Sequence, residues 1–289
     1  MKKAICFALI VSLCAAMLTG CGSASSSMPA APPAVSDGDK VLRVASECQS
    51  VPYCWTQTDD SSGALPLTGS DEYTYGFDVE IMKRVCELAG YEIEAYKIDW
   101  DGLLLGVQSG TYDCGISGIG ISEERKASMD FTDPYYIVDV VALTRRDSAY
   151  AGAKTLSDLS GAKCTSMLNT SWYPACSQIP DADIQPALEN FPAMMVAVNS
   201  GAVDLVLTDT PMAMSAMLSN PDLVMVRCDP SDTFQLSSVD TDLGIAVAKG
   251  NRQIVEDLNA ALAQISDDER EAIMEHAVSV QPLSGHTEQ

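Results

Sequence analysis

The chain carries one short pattern twice, as Val107-Gln108-Ser109-Gly110-Thr111-Tyr112-Asp113-Cys114-Gly115-Ile116-Ser117 and as Val198-Asn199-Ser200-Gly201-Ala202-Val203-Asp204-Leu205-Val206-Leu207-Thr208. Four positions are identical, and the physical sense is shared throughout. In each copy a helix is expected to end at Ser-Gly, where glycine takes the left-handed C-cap geometry. After two further residues an Asp opens a short buried strand. A duplicated αβ unit within 289 residues predicts two α/β lobes, each with a core of its own.

Each of the two strands runs into a polar segment. The first copy leads to Gly118-Ile119-Gly120-Ile121-Ser122 and then Arg125; the second ends in Thr208-Asp209-Thr210-Pro211. Ligands of open α/β sheets gather at the carboxyl ends of strands. One unit therefore presents backbone N–H groups and a guanidinium, and the other presents a carboxylate. A molecule bearing both a carboxylate and an ammonium would fit between them, and free α-amino acids are such molecules.

Other segments complete the two lobes. Residues 41–45 and 91–98 read as strands, and residues 101–110 as the helix that feeds the first repeated strand. Phe77, Ile81, Val85 and Leu88 share one helical face, with Gly90 as the stop. The extended stretch 137–143 is the expected first crossing to the second lobe, and 239–247 the return. Strands are expected at 161–167 and 222–228, and a helix over 188–199 interrupted early by Pro192. Ile254, Leu258, Leu262 and Ile265 form a last amphipathic helix against lobe one.

The first twenty residues read as a targeting segment: Lys2 and Lys3, then an apolar run over Ala4–Met17 too short to span a bilayer. Leu18-Thr19-Gly20-Cys21 resembles a bacterial lipobox, which implies cleavage before Cys21 and a diacylglycerol on its sulfur; the alternative is an ordinary secretory peptide. Residues 21–39, small, Pro-rich and polar, read as a flexible tether. A net charge of −23 argues against nucleic acid or an anionic membrane surface as a partner. Seven cysteines remain beyond Cys21: Cys48, Cys54, Cys86, Cys114, Cys164, Cys176 and Cys228. They lack the spacing of a zinc site, and histidine occurs only at 276 and 286, so no metal and no cofactor is expected. An exported chain often pairs its cysteines, and Cys48–Cys54 is the expected bridge.

Five stretches carry a resemblance to a known family: "YGFDVEIMKRV" (75–85), "WDGLLLGVQSGTYD" (100–113), "GIGISEERKASMDFTDPYY" (118–136), "VDLVLTDTPMA" (203–213) and "LGIAVAKGN" (243–251). The chain resembles the third family of extracellular solute-binding proteins, the amino-acid receptors of ABC importers, over roughly residues 41–275. The resemblance implies a type II periplasmic-binding-protein fold, with a ligand cleft between lobes joined by two hinge strands. Lobe one would be 40–139 with 241–289, and lobe two 140–240. It implies a monomer that captures a free amino acid by hinge closure, is held to the outer face of the cell membrane by its lipid, and docks on a membrane permease.

The same resemblance assigns residues. Arg125 matches the arginine that binds the ligand α-carboxylate in a bidentate fork; the competing reading is an ion pair with Glu123 or Glu124. Gly118 and Gly120 match the loop that offers backbone groups, although Gly120 stands where Thr or Ser is usual. Asp209 matches the carboxylate that takes the α-ammonium, and an N-cap role could coexist with it. Thr170 and Ser171 match the hydroxyl residues of the second lobe; Asn169 and Trp172 stand where glycines are usual. Trp100 matches an aromatic wall of the side-chain pocket, with Tyr53 and Trp55 as further candidates. Glu47 matches an acidic position at the side-chain end, which favours a polar or cationic ligand. Two other readings compete. One is an enzyme on this fold, of the cyclohexadienyl or arogenate dehydratase kind, with Glu47 as general acid; the other is a tethered amino-acid sensor.

Overall fold

A computed structural model describes residues 40–237 and 241–282. The expected leader, the tether, Cys21 and His286 lie outside the described residues. The described chain belongs to one compact unit.

Its strands form two five-stranded sheets of matching plan. In the first the order is Glu92–Lys97, Val41–Ser46, Cys114–Gly115, Ala246–Ala248, Met129–Phe131. In the second it is Asp183–Ile184, Lys163–Thr165, Leu205–Asp209, Val140–Arg145, Leu223–Val226. In each sheet the first three strands run parallel, and the fourth lies antiparallel to both its neighbours. The antiparallel member is in both cases the strand nearest a crossing between lobes. A third, two-stranded pairing, Tyr136–Ile137 with Asp242–Leu243, forms the hinge between the sheets.

Helices form where the apolar spacing called for them. Phe77–Ala89 buries Phe77, Ile81, Met82 and Val85, and stops at Gly90, whose φ is 74°. Trp100–Gln108 is capped by Asp99, which accepts from Gly102 N at 2.8 Å. Pro192 does not interrupt its helix. Asn190 caps Phe191–Asn199 and the proline falls in the first turn, where its missing N–H has no helical partner to lose. Arg252–Leu262 buries Ile254, Leu258 and Leu262, but is not the last helix: Asp267–Val280 comes after it, capped by Ser266. Its charge-rich first turn hid it from the periodicity. Sequence reading also missed a small antiparallel sheet, in the order Gln49–Ser50, Cys54–Gln57, Tyr73–Tyr75, Leu65–Pro66. Its strands are too short to show an alternation.

The duplicated motif folds alike in both sheets. Gly110 and Gly201 sit at φ 75° and 73°, each closing a helix. Asp113 then accepts the backbone N–H of Arg43 at 2.9 Å, and Asp204 that of Lys163 at 2.9 Å. Each carboxylate thus captures an N–H of the neighbouring parallel strand, that of the third residue in Val41–Ser46 and of the first in Lys163–Thr165. Asp113 also takes the Arg43 guanidinium at 2.7 Å.

No bridge joins Cys48 to Cys54; all seven described cysteines are free thiols and all are buried. Cys48 Sγ donates to Thr74 Oγ1 and Cys54 Sγ meets Ser117 Oγ, each at 3.3 Å. These contacts turn the two thiols to separate partners. Among the described residues, no helix is long and apolar enough to cross a membrane.

Candidate functional site

The two repeated strands point their carboxyl ends at a common cleft; the second passes directly into a helix, the first only after a turn. After Cys114–Gly115 the chain turns at Gly118, with φ 61° and the nearest Tyr53 ring carbon 3.1 Å from where a Cβ would stand, so a side chain there would strain the backbone and press on the ring. Ser122 caps the short helix Glu123–Ser128, accepting from Arg125 N at 3.2 Å. That cap sets Arg125 at the third helical position, on the cleft wall. Its Nη1 donates to Gly120 O at 2.7 Å, its Nη2 donates across the cleft to Asn169 O, and the guanidinium lies 5.5 Å from the Trp100 ring centre. Such a perch over an aromatic face restrains the fork while leaving it planar. Glu123 instead pairs with Lys126 at 2.9 Å.

From the other lobe, Leu205–Asp209 ends in the residue that caps Thr210–Ser219. Asp209 Oδ1 accepts from Met212 N at 2.9 Å, and the side chain is buried. The loop from Met167 to Ser171 completes this side. Asn169 adopts φ 56°, the left-handed geometry a glycine would supply there, so the departure from glycine leaves the turn intact. Its Nδ2 donates to Asp101 Oδ1 of the first lobe at 2.7 Å, so the lobes touch at the cleft mouth. The Thr170 hydroxyl donates back to Met167 O at 2.7 Å.

Arg125, Asp209, Gly118, Gly120, Thr170, Ser171, Trp100 and Tyr53 all line this one cleft, which encloses about 540 Å³ counted with the solvent at its mouth. Three expectations need correction. The N–H of Gly118 is not offered to the cleft: it donates to Asp78 Oδ2 at 2.6 Å. Glu47 stands behind the wall, 1% exposed, with its Oε2 accepting from the Ser50 hydroxyl at 2.6 Å; Ser50 is the residue that faces the cleft. Trp55 packs edge-on against Tyr75 within the small sheet and is not part of the wall. Sequence reasoning missed Ser50, Ser117, Met167, Met194, Met212 and Leu243 as wall residues. Met194 and Met212 sit on helices that begin beside the cleft, where Met at helical spacing carries no signal to separate it from core.

Burial and charge define the chemistry of the cleft. Burial pushes the Asp209 carboxyl up to about 7, against the opposing pull of the Met212 N–H and the Tyr53 hydroxyl. The Tyr53 hydroxyl is near enough to act on Asp209 but reaches no partner at hydrogen-bonding geometry, and Trp100 Nε1 likewise has none. A buried donor left in that state is costly unless something enters to take it. Burial also raises the Glu47 carboxyl, partly offset by Ser50. The cleft thus offers a cationic fork from one lobe, a carboxylate from the other, two buried unpartnered donors, and aromatic and thioether walls able to flank an aliphatic stem. Among the described residues no cluster of three or more potential ligands could hold a metal ion.

A two-lobe α/β fold with a polar cleft across a two-stranded hinge defines a bilobal binding protein. The chain belongs to the bacterial extracellular solute-binding proteins, family 3, which it matches over residues 42–278. It is 29% identical to a probable histidine-binding protein of Neisseria gonorrhoeae over 269 residues, covering 92% of this chain and 91% of that one. It is 28% identical to an arginine-binding protein of an ABC transporter from Escherichia coli, covering 69% of this chain and 79% of the relative. An ancestral arginine-binding protein, solved with arginine and separately with glutamine, superposes with TM-scores of 0.66 and 0.64 at 28% identity, covering 82% of this chain and 97% of the other.

Proposed function

We propose that this chain is the extracytoplasmic capture subunit of an ABC importer and binds a free α-amino acid, with polar and cationic side chains favoured. The observation that carries this reading is the facing of Arg125 and Asp209 across one cleft from two different lobes. A zwitterion satisfies both at once: carboxylate to guanidinium, ammonium to carboxylate. Neither half-site alone supplies both contacts, so a ligand has more to gain from the closed form and shifts the hinge toward it. Gly120 adds backbone to the first half-site, and Ser171 and Thr170 add polar groups from the second lobe. The preference for a cationic or polar side chain is supported by the buried acid Glu47 behind Ser50, and by the arginine and histidine binders among the relatives. Each charge-assisted bond contributes about 1.5–3 kcal/mol, so three or four, less ordering costs, are consistent with micromolar or tighter affinity.

In this reading the closed lobes dock on a permease, the 21–39 segment tethers the lobes, and Cys21 carries the lipid. The lobe limits fall near 139/140 and 240/241, where the chain passes through the hinge. Calorimetry of the purified chain against the common amino acids tests the proposal. Arginine, histidine or a polar neutral amino acid should bind; binding of none of them, with turnover of a prephenate-like acid instead, would replace it with the enzymatic reading. That alternative needs Glu47 as proton donor, and Ser50 stands between Glu47 and the cleft.

A further inference from the structure

We propose that Asn169 is a positioning residue of the capture reaction: its side-chain amide grips Asp101 across the mouth of the cleft, so the closed form gains a stabilising contact that does not involve the ligand. In the capture reading on which this role rests, the contact sets how slowly a guest is released.

Asn169 lies in the second lobe, on a loop tied down within that lobe. Leu168 N donates to Leu188 O at 2.7 Å, Leu188 N donates to Ser166 O at 3.0 Å, and the Thr170 hydroxyl donates to Met167 O at 2.7 Å. The backbone of Asn169 is left-handed, at φ 56°. Asparagine is one of the few residues with a side chain that visits this region. Glycine would make the same turn but would have nothing to reach with. From this position Asn169 makes two contacts to the first lobe: Nδ2 donates to Asp101 Oδ1 at 2.7 Å, and the carbonyl accepts from Arg125 Nη2. Asp101 stands in the first turn of Trp100–Gln108, next to the tryptophan whose ring lies 5.5 Å from the same guanidinium. Asp101, Asn169, Arg125, Thr170 and Ser171 all line one groove at the cleft mouth.

Parting the lobes at this mouth breaks both contacts. The carbonyl contact belongs to the turn and survives any substitution that keeps the turn. The amide contact belongs to the asparagine side chain alone. It joins a neutral donor to a carboxylate, and both residues are exposed, so water competes for each partner and the effect is a few-fold rather than many orders of magnitude. A protein whose binding-competent form is only partly populated binds its ligand less tightly by that fraction. A contact that favours closure without ligand therefore raises the closed fraction and the affinity by the same factor, as long as the open form predominates. The ligand enters the open cleft and leaves only after the lobes part, so the gain falls on the dissociation rate and leaves association nearly unchanged.

The full chain is tested in two ways: release of arginine and histidine by stopped flow, and, without ligand, the distance between spin labels placed one on each lobe. Asn169→Gly keeps the left-handed turn and removes only the amide. It should speed release about 3–10-fold, leave association unchanged, and lower the unliganded closed fraction by the same factor. Asp101→Ala should do the same, and the double variant should do no more than either single one, because both remove one contact. Asn169→Asp sets carboxylate against carboxylate and should open the cleft further. Adding Asp101→Asn to it remakes the bond with donor and acceptor exchanged and should return both readouts toward the wild type, a rescue that a merely structural role would not give. Losses that add in the double variant, no rescue by the exchanged pair, or a closed fraction indifferent to all of these variants would overturn the proposal. Label distances that follow the variants as expected in a chain that binds neither amino acid would instead leave the latch standing and count against the capture reading.

Discussion

The two copies of the αβ motif differ less in their scaffold than in what each capping position carries. Both close a helix on a left-handed glycine, both fix a neighbouring parallel strand through an Asp, and both lead to a residue that caps the next helix by accepting the N–H three positions on, directly at the strand end in the second copy and after a turn through 116–121 in the first. In the first lobe the cap is the neutral Ser122 and the residue at the third helical position is Arg125. In the second the cap is Asp209 and the corresponding residue is Met212. Of these, Arg125, Asp209 and Met212 line the cleft. A cation in the first turn of a helix opposes the dipole, whereas a carboxylate at the cap suits it. Asp209 thus satisfies the Met212 N–H as a cap, and in the proposed reading the same carboxylate takes the ligand ammonium. Arg125 is placed against its helix, and Glu123 and Glu124 in the same turn compensate. The two units thus present opposite charges to the cleft, one from a cap at the strand end and the other from the third position of a helix reached through an intervening turn.

Breaking either pole should have the largest effect. Arg125→Ala or Asp209→Ala is expected to weaken amino-acid binding by at least ~100-fold, through one or two lost charge-assisted bonds and an unpaired ligand charge; titration calorimetry checks it. The acidic pole alone should respond to pH. Asp209 must be ionised to meet an ammonium, and its carboxyl is raised to about 7, so affinity should fall about tenfold per pH unit below that value and level off above it. The same shift works on stability with the opposite sense. A carboxyl raised in the folded state lends stability below its unfolded range, and that stability is lost as pH rises through about 7. Asp209→Asn should accordingly unfold at a higher temperature than the wild type at pH 8 without ligand, and lose that advantage at pH 4.

Smaller effects sharpen the comparison of the scaffolds. Asp113→Ala removes a strand N–H acceptor and the partner of Arg43, and should cost about 2–3 kcal/mol in denaturant titration; Asp204→Ala removes only the acceptor and should cost about 1–2 kcal/mol. Equal losses would show that the Arg43 pair contributes nothing. Least of all, Gly110→Ala should cost about 1 kcal/mol for its left-handed backbone, and Gly201→Ala slightly more, because a Cβ there meets the Arg145 guanidinium at 3.1 Å.

Much of this was legible in the residues. The helix at 77–89, the two repeated units and the hinge stretches show in periodicity, glycine stops and extended apolar runs. Arg125 and Asp209 stand out because each lies where a strand end gives way to a helix start. The cleft's interior was not legible. Gly118 looked like a free donor, because nothing in the chain near it shows that Asp78, in a distant helix, takes its N–H. Glu47 looked like a wall residue because a sequence position carries no depth; a serine three residues on intervenes. The methionine wall was silent because Met at helical spacing reads as core wherever it occurs. Cys48 and Cys54 looked like a bridge because spacing says nothing about which way two side chains turn.

Local order, then, was the sequence's to settle: caps, stops, strand starts and the charge at each strand's end depend on neighbours within a few residues, and their physics is complete at that range. Which groups face one another was settled only by the tertiary structure. The meeting of Arg125 with Asp209, the burial that lifts the Asp209 carboxyl to about 7, and the retreat of Glu47 behind Ser50 all come from how the chain packs in three dimensions. Burial and electrostatic coupling depend on distance through space, and only packing the two lobes together determines those distances.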